Sequence, residues 1–409
     1  MTFFLRVLLV VLSGLLVACG GSGGFANLGA ALNPVFATPT ATSDGFTVQI
    51  TNYDSSFAYA GNATASGVVA ISGSGLVTIS GVSPLTISTA TVTTTKTNFA
   101  AGSAQIAATS SISFTNRTIA NGLGSNLVYA VFVDGSNVYA ATDGGLSISN
   151  NGGSRFTNLT TANGLGSNRV FSVFVSGNDI YASTIAPDPW TLGGLSISHN
   201  GGISFTNYAT VNGSGLDSVN HVIASGSNLY VATSEGLSIS SNGGTSYTNF
   251  TTTSGLGSNT VNKVFISGSS LYAVTSGGLS ISTDGGNTFT NLSTANGMVS
   301  SWLRDAFVVG TNVYTASDAG VSISTDSGTT FTNRNTTNGL GDLSVRGIFA
   351  FGSKVFAATM GGLSISTDGG ANFINYTTAN GLGQNFSHKV LVSGDKVYVA
   401  TVGGLSISN

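Results

Sequence analysis

A repeat of about 42 residues is the feature that most constrains how this chain folds. The leucine of a G-L-S-I-S run, replaced once by valine, recurs with successive spacings of 49, 42, 42, 42, 42 and 42 residues, at Leu146, Leu195, Leu237, Leu279, Val321, Leu363 and Leu405. Each unit also contains runs of the types V-x-x-V-F-V, L-Y-A-A-T and F-T-N, which Gly-rich turns separate. Four strand-length runs per unit predict the four-stranded blade of a β-propeller.

The two ends of the repeat array complement each other. The array begins with the I-S-F-T-N run at 112–116 and ends with the L-S-I-S-N run at 405–409, so each end lacks the strand that the other supplies. Closing the ring with these two runs would cover edges that an open array leaves exposed. We therefore predict a seven-bladed β-propeller over residues 111–409, in which residues 112–116 pair beside 405–408 to complete one blade.

The composition agrees with an all-β fold. Gly occupies 57 positions, and only 7% of the residues are charged, so the solvent-facing helix formers are scarce. The net charge of −3 argues against nucleic acid as a partner, because nucleic-acid binders need a basic face. Cys19 is the single cysteine, no Cys/His cluster has zinc spacing, and no loop has the carboxylate density of a calcium site. We predict no cofactor and no bound metal.

The first 25 residues resemble the export signal of a bacterial lipoprotein. Arg6 precedes an apolar stretch that ends in Leu16-Val17-Ala18-Cys19, a run similar to the lipobox, in which a signal peptidase cuts before a cysteine that is then acylated. The resemblance implies a signal peptide at 1–18, lipidation of Cys19, and a flexible Gly/Ser tether at 19–25. An ordinary signal peptide and a transmembrane helix are the alternatives, although the apolar run is short for a span of about 20 residues.

Residues 26–110 lack the repeat. Apolar residues alternate there with Thr and Ser, and turns containing Gly, Asn-Tyr-Asp or Ser-Pro divide the segment into about seven strand-length runs. This pattern predicts a small β-sandwich. It resembles the Thr-rich immunoglobulin- or fibronectin-type modules of bacterial surface proteins. A Thr-rich stalk of looser order is the alternative.

A second repeated motif could indicate either chemistry or architecture. The run S-x-D-x-G-x-x-F occurs at Ser282-Asp284-Gly286-Phe289 and in the two following repeats, and three other copies have asparagine at the acidic position, namely Asn151, Asn200 and Asn242. The motif resembles the Asp-box (BNR) repeat of sialidases and of many non-enzymatic propellers. Asp and Asn can both accept hydrogen bonds from turn N–H groups, whereas Asn cannot replace a catalytic acid. We therefore interpret the box as a turn cap.

The segment that links successive units carries a further resemblance. Its N-G-L-G-S-N-x-V run, followed by the L-Y-A-A-T strand, is similar to the propeller repeat of two-component regulators. Together the two resemblances cover residues 111–409. They imply the propeller fold and leave the function open.

Sialidase-type chemistry would need more than the box. That family uses an arginine cluster, a tyrosine nucleophile with a glutamate beside it, and an aspartic acid. This chain has one glutamate, Glu235, and no run that resembles the arginine motif. Most of its propeller tyrosines fall in one column of the repeat, which indicates packing rather than a unique site. We predict that the protein is not an enzyme.

Two adjacent columns of the repeat vary, whereas their neighbours stay apolar. The first column reads Tyr129, Phe171, Asn220, Asn262, Arg304, Arg346 and His388. The second column reads Ala130, Ser172, His221, Lys263, Asp305, Gly347 and Lys389. Both columns begin the predicted innermost strand, which lines the central channel of a propeller. These side chains should therefore converge on one patch.

The patch suits an anionic or hydroxyl-rich ligand, through charge-assisted hydrogen bonds and ring stacking. The candidate ligand-binding residues are Asn220, His221, Asn262, Lys263, Arg304, Asp305, Arg346, His388, Lys389 and Trp190. Trp190 belongs to a seven-residue insertion, A-P-D-P-W-T-L at 186–192, which is either a contact loop or decoration. Variation without function is the alternative for the two columns, because water at a channel mouth tolerates any side chain. Replacing the four cationic residues with Ala should abolish ligand capture and leave the melting temperature nearly unchanged; these residues are Lys263, Arg304, Arg346 and Lys389.

These features predict a monomeric, non-enzymatic, lipid-anchored protein of the bacterial cell envelope, in the outer membrane or at the cell surface. Its propeller would bind a glycan, a matrix component or another envelope protein, and the lipid would be its contact with the membrane. Two alternatives stay open. They are an exported glycan-active enzyme of the sialidase type and a periplasmic assembly scaffold.

Overall fold

The computed structural model describes residues 28–185, 193–208 and 218–409. The predicted signal peptide, Cys19 and the tether lie outside the described residues, as does the insertion 186–192 with Trp190. The chain divides into two compact units between Ser111 and Ile112. Within the described ranges, no helix has the length and apolar character needed to cross a membrane.

The N-terminal unit consists of two antiparallel sheets. In spatial order, the first sheet contains Thr40–Thr42, Gly45–Gln49, Leu76–Ser80 and Val68–Ile71, and the second contains Ala58–Ala63, Ile87–Thr95 and Gly102–Thr109. Phe46 and Ile79 from the first sheet share one buried cluster with Val92 from the second. The two sheets therefore pack face to face as a small sandwich. Its kinship with immunoglobulin or fibronectin modules stays a prediction.

The C-terminal unit contains seven four-stranded antiparallel sheets among its described residues, which we number as blades 1 to 7. The innermost strands of blades 1 to 7 are Val128–Asp134, Val170–Ser176, Val219–Ser225, Val261–Ser267, Leu303–Val309, Val345–Phe351 and Ser387–Ser393. The second strands are Asn137–Thr142, Asp179–Thr184, Asn228–Thr233, Ser270–Thr275, Asn312–Ser317, Lys354–Thr359 and Lys396–Thr401. The all-β propeller fold predicted from the repeat is thus confirmed.

The third and outer strands complete each blade. The third strands are Gly145–Ser149, Gly194–Ser198, Gly236–Ser240, Gly278–Ser282, Gly320–Ser324, Gly362–Ser366 and Gly404–Ser408. The outer strands of blades 1 to 6 are Thr157–Leu159, Thr206–Tyr208, Thr248–Phe250, Thr290–Leu292, Thr332–Arg334 and Ile374–Tyr376. Blade 7 takes its outer strand, Phe114–Arg117, from the start of the unit, and Ile407 pairs there with Thr115. The ring closes as the complementary ends predict.

The hydrophobic core lies between neighbouring blades. Leu146 of blade 1 clusters with Val170 of blade 2, and Leu405 of blade 7 clusters in the same way with Val128 of blade 1. Because each blade is covered on both faces, its third strand is buried nearly throughout. The buried Ser147 is satisfied by a hydrogen bond to Asn158. The same Ser–Asn pair recurs in the other blades, which explains the polar residues of L-S-I-S and F-T-N.

The box turns connect third and outer strands. Asp284 Oδ1 accepts hydrogen bonds from the backbone N–H groups of Asn287 and Thr288, each at 3.0 Å. Asn151 Oδ1 accepts from the corresponding groups of Ser154 and Arg155, each at 3.1 Å. Aspartate and asparagine therefore make the same turn. The carboxylate charge is not required for it.

Short 3₁₀ helices link one blade to the next at Ile119–Asn121, Thr161–Asn163, Thr252–Ser254, Thr294–Asn296, Thr336–Asn338 and Thr378–Asn380. The first of these ends at Gly122, which has a φ of 95°. A Cβ atom at Gly122 would lie 2.1 Å from the carbonyl oxygen of Phe156 in blade 1. The glycine of N-G-L-G is thus needed both for the left-handed backbone and for the close approach of the next blade.

Candidate functional site at the channel mouth

The seven innermost strands surround a cavity of about 360 Å³, and every blade contributes side chains to its wall. Eight of the ten candidate residues line this cavity, namely Asn220, His221, Asn262, Lys263, Arg304, Arg346, His388 and Lys389. Asp305 has no exposed surface and lies behind the wall. The structure therefore brings the two variable columns together, with Asp305 as a supporting residue rather than a contact surface for a ligand.

A β-bulge in each inner strand explains why two consecutive columns face the same cavity. In blade 5, Leu303 pairs with Ser317 and Asp305 pairs with Ala316, so Arg304 has no partner on the second strand. The register shifts at the same place in the other blades, and the extra residue is always the member of the first column. Regular pleating would send neighbouring side chains to opposite faces, whereas the bulge re-aims them.

A buried carboxylate lies at the centre of the wall. Asp305 Oδ1 accepts hydrogen bonds from Lys263 Nζ at 2.6 Å and from the backbone N–H of Ala306 at 2.8 Å. Its Oδ2 accepts from Lys389 Nζ at 2.7 Å and from the backbone N–H of Ile348 at 3.0 Å. Four donors from blades 4, 5, 6 and 7 thus converge on one side chain. These contacts link four blades, and we name the ion-paired group of Lys263, Asp305 and Lys389 the charged tie.

The electrostatics of this tie follow from its burial. Burial by itself would raise the pKa of Asp305, but the ammonium groups of Lys263 and Lys389 outweigh it and lower that pKa to about 2. Burial also lowers the pKa of Lys263 to about 8, although Asp305 opposes the shift. Removing one partner of a buried ion pair strands the other charge. Replacing Lys263 or Lys389 with Ala would therefore lower the melting temperature, which corrects the expectation that all four cations can be removed without structural cost.

The two arginines of the first column share a different carboxylate. Arg304 donates to Asp318 Oδ2 from Nε at 3.1 Å and from a terminal nitrogen at 2.6 Å. Asp318 Oδ1 accepts from the Ser344 hydroxyl at 2.7 Å and lies 3.9 Å from Arg346 Nε. Arg304 is thus tightly paired, whereas Arg346 only borders the same carboxylate.

Aromatic side chains cover the remaining part of the mouth. Phe386 and His388 of blade 7, Tyr129 of blade 1 and Phe171 of blade 2 form a continuous row, which we name the aromatic arc. Successive ring centroids are 4.7, 5.4 and 4.4 Å apart. The Tyr129 hydroxyl donates to Asp143 at 3.0 Å, which fixes the ring. The mouth therefore has a continuous aromatic side over blades 7, 1 and 2, whereas most of its polar and cationic side chains come from blades 3 to 6.

Several polar groups at the cavity have no hydrogen-bond partner. Among the described residues, four of the five buried side-chain atoms in this state belong to the wall, namely Ser172 Oγ, His221 Nδ1, Arg346 Nε and His388 Nε2. Burial, followed by the charges of Lys389 and Lys263, lowers the pKa of His221 to about 3. Burial, followed by Arg346, lowers the pKa of His388 to about 4. Both imidazoles are therefore neutral at neutral pH and can donate or accept one hydrogen bond at each ring nitrogen.

Three residues at the mouth escaped the sequence reasoning. Trp302 contacts the guanidinium of Arg304 with its ring centroid at 5.2 Å, and Phe386 contacts that of Arg346 at 5.6 Å. Both occupy one further variable column, which reads Leu127, Arg169, Ser218, Thr260, Trp302, Ser344 and Phe386. Its variation was the available signal. Asp318 lies in the turn after the second strand, and its column also varies, so the same signal was available for it; the column reads Asp143, Ile185, Ser234, Ser276, Asp318, Met360 and Val402.

This arrangement can bind a ligand of modest size, with cationic side chains that attract a charged group and aromatic side chains that contact a ring. Among the described residues, the cavity wall contains four cationic side chains and no carboxylate, although the whole chain has a net charge of −3. No cluster of three or more His, Cys, Asp or Glu suited to a metal occurs in the described parts of the chain. A volume of about 360 Å³ is in the range of small-molecule sites.

No protein-family model matches this sequence, and no curated protein resembles it in sequence. Solved structures match the fold. The extracellular domain of a hybrid two-component system from B. thetaiotaomicron aligns with a TM-score of 0.61 and 15% identity, over 91% of this chain and 51% of that one. YCF48 bound to D1 peptide aligns with a TM-score of 0.54 and 14% identity, over 69% and 93%.

An ancestral GH74 enzyme also aligns, with a TM-score of 0.53 and 19% identity, over 72% of this chain and 46% of that one. The chain spans only 39% to 51% of the B. thetaiotaomicron extracellular domains that it matches. An extracellular domain of a two-component system, a peptide-bound protein and an enzyme thus share this architecture. The similarity shows the β-propeller fold, and the function has to be argued from the site.

Proposed function

We propose that this chain is a non-enzymatic protein of the bacterial cell envelope, anchored by lipid at Cys19, whose propeller captures a ligand at the mouth of its channel. The ligand is a glycan, a matrix component or a part of another envelope protein. Residues 26–110 act as an immunoglobulin- or fibronectin-like spacer, and the protein acts as a monomer.

One observation carries this proposal. Two variable columns of the repeat line a single cavity, and that cavity contains buried polar atoms without partners. Buried polar groups cost free energy unless they are hydrogen-bonded, and four of the five buried side-chain atoms without a partner among the described residues belong to this one cavity. A ligand with complementary groups would satisfy them.

Two of the structural similarities support the proposal. One belongs to an extracellular domain, and another was solved with a bound peptide. The site itself favours binding over hydrolysis, because Asp305 is engaged by four donors and Asp318 by Arg304 and Ser344. Neither carboxylate is placed to act as a general acid or base.

The test is ligand capture by the protein purified from the envelope of expressing cells. Arrays of extracellular polysaccharides and of envelope-protein peptides would be probed with the wild type, with Arg346→Gln, and with Arg155→Gln as the control. Arg155 is an exposed arginine on the box turn of blade 1, so the control removes the same charge away from the cavity. We expect capture by the wild type and by the control, and a loss of at least tenfold in Arg346→Gln. Capture that is equal in all three, or cleavage of a glycan, would contradict the proposal.

Localisation needs its own experiment. Intact cells would be treated with a protease and immunoblotted for the propeller, with lysed cells and a known periplasmic protein as controls. We expect the Gly/Ser tether and the 186–192 insertion to be cut, with loss of signal from intact cells. Protection until lysis would move the protein to the periplasm and favour a role in assembly.

A further inference from the structure

We propose that the cavity binds a carboxylate attached to a ring, with the carboxylate held by Arg346 and His388 and the ring held by the aromatic arc. This inference rests on the proposed ligand-binding function and names the chemical class of the ligand.

The charge of the cavity favours an anion. Lys263 and Lys389 are neutralised only in part, because they share the single charge of Asp305. Arg304 and Arg346 likewise share Asp318. The described side chains that line the cavity include four cations and no carboxylate, and both histidines are neutral at neutral pH. An anion would enter this wall with a favourable electrostatic energy that a neutral ligand lacks.

Arg346 is the cation whose pairing is least complete. Asp318 Oδ2 is taken by both donors of Arg304, and Oδ1 by the hydroxyl of Ser344. Arg346 Nε therefore has a carboxylate oxygen only at 3.9 Å and makes no hydrogen bond. Its guanidinium carbon lies 5.6 Å from the ring centroid of Phe386, and a terminal nitrogen donates to Met360 Sδ at 4.0 Å. A guanidinium with a free Nε–H is suited to a planar, bidentate acceptor such as a carboxylate.

His388 stands beside this guanidinium. Both groups contact the ring of Phe386, whose centroid lies 5.6 Å from the Arg346 guanidinium carbon and 4.7 Å from the centroid of the His388 imidazole. His388 Nε2 is buried without a partner. As a neutral imidazole, His388 can donate from Nε2 to an anion that also contacts Arg346. Two donors on adjacent blades, 6 and 7, would thus share one ligand group.

The aromatic side of the mouth indicates that the ligand also carries a ring. The aromatic arc begins at His388 and Phe386 and continues through Tyr129 to Phe171, whose side chain is 37% exposed. A planar or sugar ring attached to the carboxylate would reach this surface and contact it face-on or edge-on. The cavity volume of about 360 Å³ accommodates one ring with a short substituent.

The experiment compares four small probes in NMR or calorimetric titrations with the whole exported protein. Phenylacetate carries the ring and the carboxylate, phenylacetamide is its neutral counterpart, and phenyl phosphate replaces the carboxylate. A hexuronate supplies the carboxylate on a sugar ring. Each probe would be titrated into the wild type, Arg346→Gln and the control Arg155→Gln, and near-UV circular dichroism would verify the fold of each variant.

We expect one of the two carboxylates to bind at least tenfold more tightly than phenylacetamide, and to lose at least tenfold in affinity in Arg346→Gln alone. Preference for phenylacetate or for the hexuronate would identify the ring as aromatic or saccharide. Three results would overturn the inference: no carboxylate binds, the amide binds as well as the acid, or phenyl phosphate binds more tightly than both carboxylates. If the arrays yield a neutral ligand that still depends on Arg346, the proposed function stands and this inference falls.

Discussion

The two ends of the blades use the same amino acids for different purposes. The box turns lie at one end, where the third strand of blade 4 finishes at Ser282 opposite Leu271. The channel mouth lies at the other end, where Thr275 pairs with Val261 and with Gly278. At the box end, Asp284 and Asn151 accept the same backbone hydrogen bonds. At the mouth, Asp305 bonds two ammonium groups.

The difference teaches which positions the repeat leaves free. A turn needs an acceptor oxygen, so Asp and Asn alternate among the blades without consequence. Among the described residues, Asp305 is the one carboxylate that is fully buried, and its donors come from four blades. Residues that recur in every blade build the fold, whereas residues that occur in a single blade belong to the site. The predictions below test this division.

The largest effect is expected from Asp305→Asn. Lys263 and Lys389 would keep their burial and lose the charge that compensates them. Breaking a buried ion pair in this way costs about 3–5 kcal/mol of unfolding free energy. Guanidinium unfolding of the wild type and the variant measures the loss. A variant as stable as the wild type would show that the tie does not stabilise the ring.

An intermediate effect is expected from the protonation of His388. Burial and the neighbouring Arg346 lower its folded pKa to about 4, from about 6.5 in the unfolded chain. Between these values the unfolded state binds a proton that the folded state does not, so stability falls as the pH falls through this window. Tyr129, Phe386 and Lys389 also adjoin this imidazole, and none of them adds a negative charge at these pH values.

The measurement compares unfolding free energies at pH 7 and pH 5. The wild type should lose up to about 2 kcal/mol more than His388→Gln over this interval. His221 titrates in both proteins, so the difference between them isolates His388. Equal pH dependence in the two proteins would mean that His388 takes up its proton in the folded state as readily as in the unfolded chain.

The smallest effect is expected at the box end. Asp284→Asn keeps the acceptor oxygen and should leave the melting temperature within error, as the Asn copies of other blades indicate. Asp284→Ala removes the acceptor for two backbone N–H groups and should lower the melting temperature slightly. Paired melting curves of the two variants decide the matter. A large loss in Asp284→Asn would erase the contrast between the two ends of the blades.

Much of the fold could be predicted from the sequence, because a repeat imposes the same strands on every blade. The pairing of Ile407 with Thr115 follows from the complementary ends of the array. The convergence of the two variable columns followed from their place on the innermost strand. Which side chains contact each other within the site could not be predicted. The bulge at Arg304 decides where these side chains point, and it leaves the spacing of the repeat unchanged. The bond from Lys389 to Asp305 skips a blade, so no comparison of neighbouring repeats reveals it.

The closure of blade 7 has a mechanical consequence. The strand Phe114–Arg117 is the first element of the propeller to follow the N-terminal unit in the chain, and its neighbour in the sheet is Gly404–Ser408. Tension applied through the N-terminal side of the protein, while the propeller is held at its channel mouth, would reach this pair of strands before any other. The four residue pairs between these strands would therefore be the first contacts to resist the opening of the ring.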